Sequence, residues 1–380
     1  MRIAVISRVF SKSGGGAESY SVALVQQLVA RHEFHVFAQD SNHPVGGVHH
    51  HKLFCLSRKP RWVNQLVFAI ASWWQTRSGF DVVHSHENTW HGQIQTIHVR
   101  PIRCNLFAAP GGTGRFFQWV KIALSPRLIT YLLLEGARFK DRPARKVVAA
   151  SENLRLECER AYPARLGEVT VVMPGTNLPR ESISRSAARR QLGLPENGNW
   201  VLFVANDYER KGLDTLLQAM MLLSADSSLI VVGNPRYVPR YRQQALRLGL
   251  SERIHFLGSL DDLAPAYWAA DCLAHPTLED SFAMVVLEAM AHGLPVVVSG
   301  PAHCGIARQL SDGVQALLLP DPKDAQRLAR LIGSVLDQPE IAANLRRGGV
   351  EFAEQHSWEK AALQYEQLYL QVASKHQISE

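Results

Sequence analysis

"DCLAHPTLEDSFAMVVLEAMAHGLPVVVS" runs from Asp271 to Ser299. "DCLAHP" is a short apolar run stopped by a proline and reads as a buried strand. "TLEDS" is a loop, and a helix follows from about Phe282 to His292, closed by Gly293 with Pro295 beyond. "PVVVS" is the next strand, so the stretch is one strand–helix–strand unit of a parallel sheet. Three acids, Glu279, Asp280 and Glu288, interrupt the apolar pattern. Eight steps of about 100° place Asp280 and Glu288 off one another's face. Asp280 lies at or before the helix start, where capping alone would account for it or for Ser281. Glu288 is flanked by Val286, Leu287, Ala289 and Met290, so its carboxylate points into an interior and needs hydrogen-bond donors. Sugar or ribose hydroxyls could supply them.

The same alternation extends outward in both directions. Before the stretch come the strands "WVLFVAN" (Trp200–Asn206), "SLIVVG" (Ser228–Gly233) and "RIHFLG" (Arg253–Gly258), with helical patterns between them; "ALLLP" (Ala316–Pro320) follows it. A similar series occupies the first half: "IAVIS" (Ile3–Ser7), "FHVFA" (Phe34–Ala38), "DVVHSH" (Asp81–His86), "IQTIHV" (Ile94–Val99), "KVVAAS" (Lys146–Ser151) and "VTVVM" (Val169–Met173). Near-continuous β-branched runs suit parallel strands buried on both faces. "MPGTNLPRESISRS" (Met173–Ser186) is richer in Pro, Gly, Ser and charge and reads as the linker. The prediction is α/β: two doubly wound parallel-sheet domains, residues 1–174 and 175–356, with an amphipathic helix at about 357–375 crossing back to the first. Two such sheets facing each other would enclose a cleft at their strands' carboxyl ends.

The length of 380 residues fits two domains at roughly 100–200 residues each. A net charge of +7 favours anionic partners: nucleic acid, an acidic membrane surface or phosphorylated substrates. No recognised nucleic-acid module or aromatic stacking array accompanies that charge, so a nucleic-acid partner is not expected. Five cysteines without C-x-x-C spacing argue against a disulfide framework or a structural zinc site and point to a reducing, cytoplasmic setting. No signal peptide is visible, and no apolar stretch reaches the ~20 residues that span a bilayer.

Four further segments carry polar groups to strand ends. Gly14, Gly15 and Gly16 follow the first strand and precede a helix, where backbone can approach an anionic or sugar ligand. Neither G-x-G-x-x-G nor a P-loop is formed. "HSHENTWH" (His84–His91) puts His84 and His86 on one strand face with Glu87 beside them. A strand end offers poor convergence for a metal, and cleft-lining polar groups are expected there instead. His98 closes another central strand. "HHH" at His49–His51 reads as a solvated loop. Arg210 and Lys211 precede the helix "GLDTLLQAMMLL" (Gly212–Leu223) and could clamp a diphosphate, although for that pair alone a solvated turn is an equal reading.

Taken together, these residues resemble the GT-B glycosyltransferases of the large retaining family 4, a pair of Rossmann-like domains. The likeness covers nearly the whole chain. It is strongest from Trp200 to Pro322, through "RKGLD", "VVGNP", "IHFLG" and "HPTLEDSFAMVVLEAMAHGLPVV". Members of that family carry two acids separated by seven residues, a spacing that here selects Asp280 and Glu288. The resemblance implies a metal-independent transfer of a hexose-type sugar, with retention, from a nucleotide sugar such as a UDP-sugar, without a cofactor. The acceptor would be a glycan or glycolipid of cell-surface polysaccharide or lipopolysaccharide biosynthesis. Glu288 would hold the ribose hydroxyls and Asp280 those of the transferred sugar. Arg210 and Lys211 would neutralise the diphosphate, helped by the backbone amides of Phe282, Ala283 and Met284. His98 would sit by the reacting sugar. The turn at Gly15–Gly16 would approach the donor, and His86 and Glu87 would face the acceptor. Two departures stand out: the first acid is Asp280 rather than the usual Glu, and "GIARQ" (Gly305–Gln309) lacks the acid often found there. "RFFQWVKIALSPRLITYLLLEGARFKDRPARK" (Arg115–Lys146) mixes aromatics with cations, a composition suited either to core helices with solvated basic ends or to a peripheral position on the inner face of an acidic membrane. A sugar-nucleotide epimerase or a phosphorylase on the same fold is the alternative.

Overall fold

The computed structural model of the chain describes residues 1–377 apart from 12–15, 43–44, 57–58, 108–119, 143–144 and 164–167. Gly14 and Gly15 of the glycine turn, and residues 115–119 and 143–144 of the basic stretch, thus lie outside the described residues. The chain divides into two compact units, Met1–Pro174 with Trp358–Glu380, and Gly175–Ser357.

The first unit contains β1 (Arg2–Ile6), β2 (Val9–Ser11), β3 (Glu33–Ala38), β4 (Asp40–Asn42), β5 (Val48–Lys52), β6 (Val82–Ser85), β7 (Ile94–Ile97), β8 (Lys146–Ala149) and β9 (Val169–Val171). Seven of them form a sheet in the order β5-β3-β1-β6-β7-β8-β9, while β2 and β4 pair separately. Every pairing is parallel. The second unit contains β10 (Asn199–Ala205), β11 (Ser227–Gly233), β12 (Ile254–Gly258), β13 (Cys272–His275), β14 (Val296–Ser299) and β15 (Leu317–Leu319), ordered β12-β11-β10-β13-β14-β15, again all parallel. In each sheet the chain starts in the middle, walks to one edge, then crosses back to continue on the other side. The strand order therefore reverses between β1 and β6 and between β10 and β13, the point outside whose carboxyl ends open α/β sheets bind ligands.

The central strands are buried on both faces, as their composition requires. Residues Ile3–Ile6 of β1 and Val201–Phe203 of β10 have no solvent exposure. Phe203, Leu216, Leu229 and Ile332 belong to one continuous core in the second unit. Truncating such a leucine to alanine costs about 2–5 kcal/mol through lost transfer energy and the cavity left behind. Among the described residues, no helix is long and apolar enough to cross a membrane.

One expectation fails. The histidines at 49–51 are not a loop but the middle of the edge strand β5, paired in register with β3. Apolar periodicity misses such a strand because an edge position needs main-chain pairing on one side only, and exposed side chains there can be polar.

The last helix, Trp358–Gln377, packs on the first unit's helix Gly16–Leu28. Buried hydroxyls fix it there. Tyr365 Oη lies 2.8 Å from Thr96 Oγ1 and 3.0 Å from Tyr20 Oη, and Tyr369 Oη lies 2.8 Å from His84 Nδ1. Burial pushes the phenols up, so these tyrosines stay neutral hydrogen-bonding groups.

Candidate active site

In the second unit two turns meet at the reversal point, one after β10 and one after β13. Their backbones touch: the Leu278 amide donates to the Arg210 carbonyl at 2.9 Å. Gly212 makes this possible. Its φ is +83°, and a Cβ built on it would lie 1.9 Å from the Pro276 carbonyl oxygen, so any side chain would force the turns apart. Lys211 is thereby delivered to the β13 loop. Its Nζ donates to Asp280 Oδ2 at 2.5 Å and to the Glu279 carbonyl at 3.1 Å. Arg210 is exposed and leans toward Asp207 at 3.8 Å.

Asp280 is fully engaged. His275 Nε2 lies 3.1 Å from the same Oδ2 that takes Lys211, while Oδ1 accepts from the amides of Ala283 at 2.9 Å and Phe282 at 3.2 Å. Burial opposes the ionisation of Asp280, but the His275 hydrogen bond and the Lys211 charge outweigh it and hold the carboxyl well below the usual range. Burial depresses His275 as well, partly offset by Asp280, so it is a neutral donor to the carboxylate. Its Nδ1 is buried without a partner. The Asp280 main chain is stitched to the following segment: its amide donates to the His303 carbonyl and its carbonyl accepts from Gly305. The loop ends at Ala283, which caps the helix Met284–Ala291 with φ +73°, a left-handed conformation that alanine rarely adopts. The helix thus begins two residues later than the apolar pattern indicated. Of the three amides expected to face an anion, those of Phe282 and Ala283 are occupied by Asp280. Met284 opens the helix, and the first amides of a helix have no acceptor within it.

Glu288 lies two turns along, half-buried, with Oε2 accepting from Tyr267 Oη at 2.7 Å. Burial raises its pKa, and the Tyr267 hydrogen bond only partly restores the charged form. Tyr267 carries no sequence signal for this pairing, since it lies 21 residues away on the helix Ala264–Ala269. His275 carries more signal, because it closes β13 at its carboxyl end, as His98 directly follows β7.

The first unit has its own polar cluster at the end of β6. His86 Nδ1 lies 2.9 Å from His98 Nε2, and the rings stack at 5.2 Å. Tyr20 sits edge-on to His98 at 4.9 Å. His84 is tied to Tyr369 and, at 2.7 Å, to Thr96, and so belongs to the helix anchor rather than to the cluster's open side. Burial, then the nearby Arg138 cation, lowers His98 to about 3; His86 falls well below its usual value for the same first reason. Both are neutral at pH 7. Glu87 is pushed up by burial, against the pull of Arg8, whose amide donates to its Oε1 at 3.2 Å. Arg138 is buried, bonded to Gln95 Oε1 and the Thr96 carbonyl, and its charge acts on His98, His86 and Glu87 alike. Gly16 is exposed at the start of its helix.

Two doubly wound parallel sheets, each with charged and imidazole groups gathered where its strand order reverses, define the GT-B class of sugar-transfer folds. The chain belongs to that glycosyltransferase family: a model described as Glycosyltransferase Family 4 matches residues 14–180, and one described as Glycosyl transferases group 1 matches residues 184–352. A D-inositol 3-phosphate glycosyltransferase of Streptomyces avermitilis is 30% identical over 249 residues, 61% of this chain and 53% of that protein. The lipopolysaccharide glucosyltransferase WaaG of Escherichia coli is 28% identical over 225 residues, 57% of this chain and 59% of its own. The crystal structure of WaaG, described as a glycosyltransferase involved in lipopolysaccharide biosynthesis, matches with a TM-score of 0.82 at 20% identity over 96% of this chain and 98% of that one. HepE of Anabaena, solved in complex with UDP-glucose, matches with a TM-score of 0.73 at 20% identity over the full length of both chains. At such identities the structural likeness speaks for the fold. The chain spans about half the length of the curated relatives it matches.

Proposed function

We propose that the protein transfers a hexose-type sugar from a nucleotide sugar, a UDP-sugar, to a hydroxyl of a glycan or glycolipid, with retention of anomeric configuration and without a metal ion. The observation that carries this reading is Glu288. It is a half-buried carboxylate that accepts from Tyr267, on a helix whose approach loop holds Lys211 through Asp280. A ribose offers two adjacent hydroxyls, the donors such a carboxylate lacks. Lys211 and Arg210 neutralise the departing diphosphate, with the Met284 amide and the helix dipole beside them. Asp280 takes a different task from the one its family position implies. It anchors Lys211 and the left-handed turn, and the exposed Glu279 next to it is the acid left to meet the transferred sugar. On the first unit Gly16, His86, Glu87 and His98 serve the acceptor and the reacting sugar. With retention, the acceptor hydroxyl attacks on the face that the diphosphate leaves, and its proton passes to the departing phosphate oxygen; neutral His98 orients the sugar without taking that proton.

A glycolipid acceptor also accounts for apolar surface on the first unit. Leu124 and Leu133 are 78% and 68% exposed next to the exposed cations Lys121 and Arg127. The helix Arg61–Thr76, packed against the helix Pro126–Arg138, exposes Trp74. Apolar side chains interleaved with cations suit an anionic bilayer surface.

The deciding experiment is a thermal-shift screen with UDP-, GDP- and ADP-sugars, followed by product analysis with and without acceptor. A donor at one hundred times its dissociation constant stabilises the native state by about 2.7 kcal/mol. A shift with UDP-sugars and acceptor-dependent release of UDP are expected. Conversion of the donor with no acceptor present would instead favour an epimerase. No shift with any nucleotide sugar would sink the proposal.

A further inference from the structure

The strand that apolar periodicity missed brings together a group of side chains outside the sugar-transfer site. β3 and β5 pair in parallel with His35 opposite His49 and Phe37 opposite His51. Side chains alternate along a strand, so Glu33, His35, His49 and His51 share one face of the sheet. The contacts agree. Glu33 Oε1 lies 2.8 Å from His35 Nε2, His35 Nδ1 lies 2.9 Å from His51 Nε2, and the rings of His35 and His49 stack at 4.6 Å. One ligand atom each from Glu33, His35 and His49 falls within 4.8 Å of the other two. His35 is buried; Glu33 and His49 are exposed.

We propose that Glu33, His35 and His49 bind a divalent transition-metal ion of the zinc class, with His51 holding the His35 ring from behind. Zinc takes imidazole nitrogen and carboxylate oxygen at roughly 2.0–2.2 Å, which sets neighbouring tetrahedral ligands about 3.4 Å apart. The cluster's atoms, within 4.8 Å of one another, must close by up to about 1.4 Å to reach that spacing, and two of its three members are exposed side chains that can move by that much. Without a metal, His35 Nε2 donates to the Glu33 carboxylate at 2.8 Å. A metal ion on Nε2 displaces that proton, and with its proton on Nδ1 instead His35 donates to His51, so proton and metal ion compete for one point. His51 then does what outer partners of metal-bound histidines do: it fixes tautomer and ring orientation. Arg2 Nε, 3.3 Å from the same Glu33 oxygen, competes with the ion for the carboxylate and moderates affinity. Three protein ligands leave a fourth position for water. The ion would rivet the edge strand β5 to β3. The cluster lies toward the amino ends of these strands, away from the groups gathered at the carboxyl end of β6, and takes no part in sugar transfer.

The test uses the full chain, stripped with a chelator and titrated with zinc chloride against a chromophoric competitor. One equivalent bound in the wild type is expected. His49→Ala and Glu33→Ala should each weaken binding at least about tenfold. Both side chains are exposed, so these variants fold, which circular dichroism verifies. His50 points to the opposite face, toward Ser41 and Phe10, so His50→Ala should bind like the wild type. Absence of binding in the wild type overturns the site, as does wild-type affinity in His49→Ala or an equal loss in His50→Ala.

Discussion

Asp280 and Glu288 stand eight residues apart in one loop and helix, yet their surroundings differ in kind. Asp280 is saturated by Lys211, His275 and two backbone amides. Among the described residues, Glu288 accepts from Tyr267 alone. Burial works against the charge on both. At Asp280 the hydrogen bond from His275 and the nearby cation win, and the pKa falls; at Glu288 burial wins, and it rises. The linkage signs are therefore opposite. Asp280 contributes stability above its unfolded pKa of about 3.9, and this is lost as the pH drops below it. Glu288 favours folding only while protonated, and that contribution is lost as the pH rises through its raised folded pKa. An acid with no spare lone pair serves architecture, whereas one left short of donors is available to a ligand.

The largest expected effect breaks this comparison from the architectural side. Asp280→Ala leaves Lys211 without its counter-charge and two amides uncapped. Breaking a buried pair costs about 3–5 kcal/mol, and side-chain exposures of 14% and 15% put this pair at the low end, near 3 kcal/mol by urea unfolding. Stability unchanged within 1 kcal/mol would remove Asp280 from the framework. From the ligand side, Glu288→Ala should leave unfolding within about 1 kcal/mol of wild type while reducing UDP affinity about a hundredfold and abolishing transfer, since charge-assisted hydrogen bonds are worth about 1.5–3 kcal/mol each. Isothermal titration calorimetry reads the first loss, and undiminished transfer would refute the role. Lys211→Ala sharpens the same side: UDP binding should fall about tenfold more than uridine binding, and equal losses would count against a diphosphate contact. The pH dependence is subtler. UDP affinity should decline with falling pH already above the ordinary glutamate value of about 4.3, and Tyr267→Phe, by removing the donor that favours the carboxylate, should move that decline to higher pH. A profile that stays in place would mean that Glu288 is not the titrating group. The smallest effect is Ala283→Gly. Relief of the left-handed strain exceeds the entropic cost of glycine, giving a gain of about 0.5 kcal/mol, visible as a raised Tm.

Much of this architecture was legible because buried parallel strands announce themselves. Runs such as "VLFVA" and "VVVS" leave little choice but a two-sided core, and the Gly293–Pro295 stop marks where one helix ends. β5 was illegible for the opposite reason: "VHHHK" is held by main-chain pairing along one side and carries no apolar signal. In the site, local order exposed the pairs close in sequence, Arg210–Lys211 and the acids of the β13 loop. What each acid does depends on partners brought in by the fold. Lys211 reaches Asp280 across 69 positions, and Tyr267 reaches Glu288 across 21. No spacing rule encodes that one carboxylate would be saturated by four donors and the other would accept from Tyr267.

The return of the chain at its far end has a practical consequence. The Thr176 amide donates to the His356 carbonyl at 2.9 Å, and Thr176 bridges Ser357, so the second unit starts and finishes at one spot. Tyr365 and Tyr369, meanwhile, are wired into Thr96, Tyr20 and His84 of the first. The second unit is thus an insert in the first, flanked by two adjacent cut points. Excision at 175 and 357 removes a self-contained piece with its own core, whereas a fragment ending near 174 loses the helix that closes its hydroxyl network. For whoever expresses the halves separately, the first must be made from two lengths of chain rejoined, and the second from one.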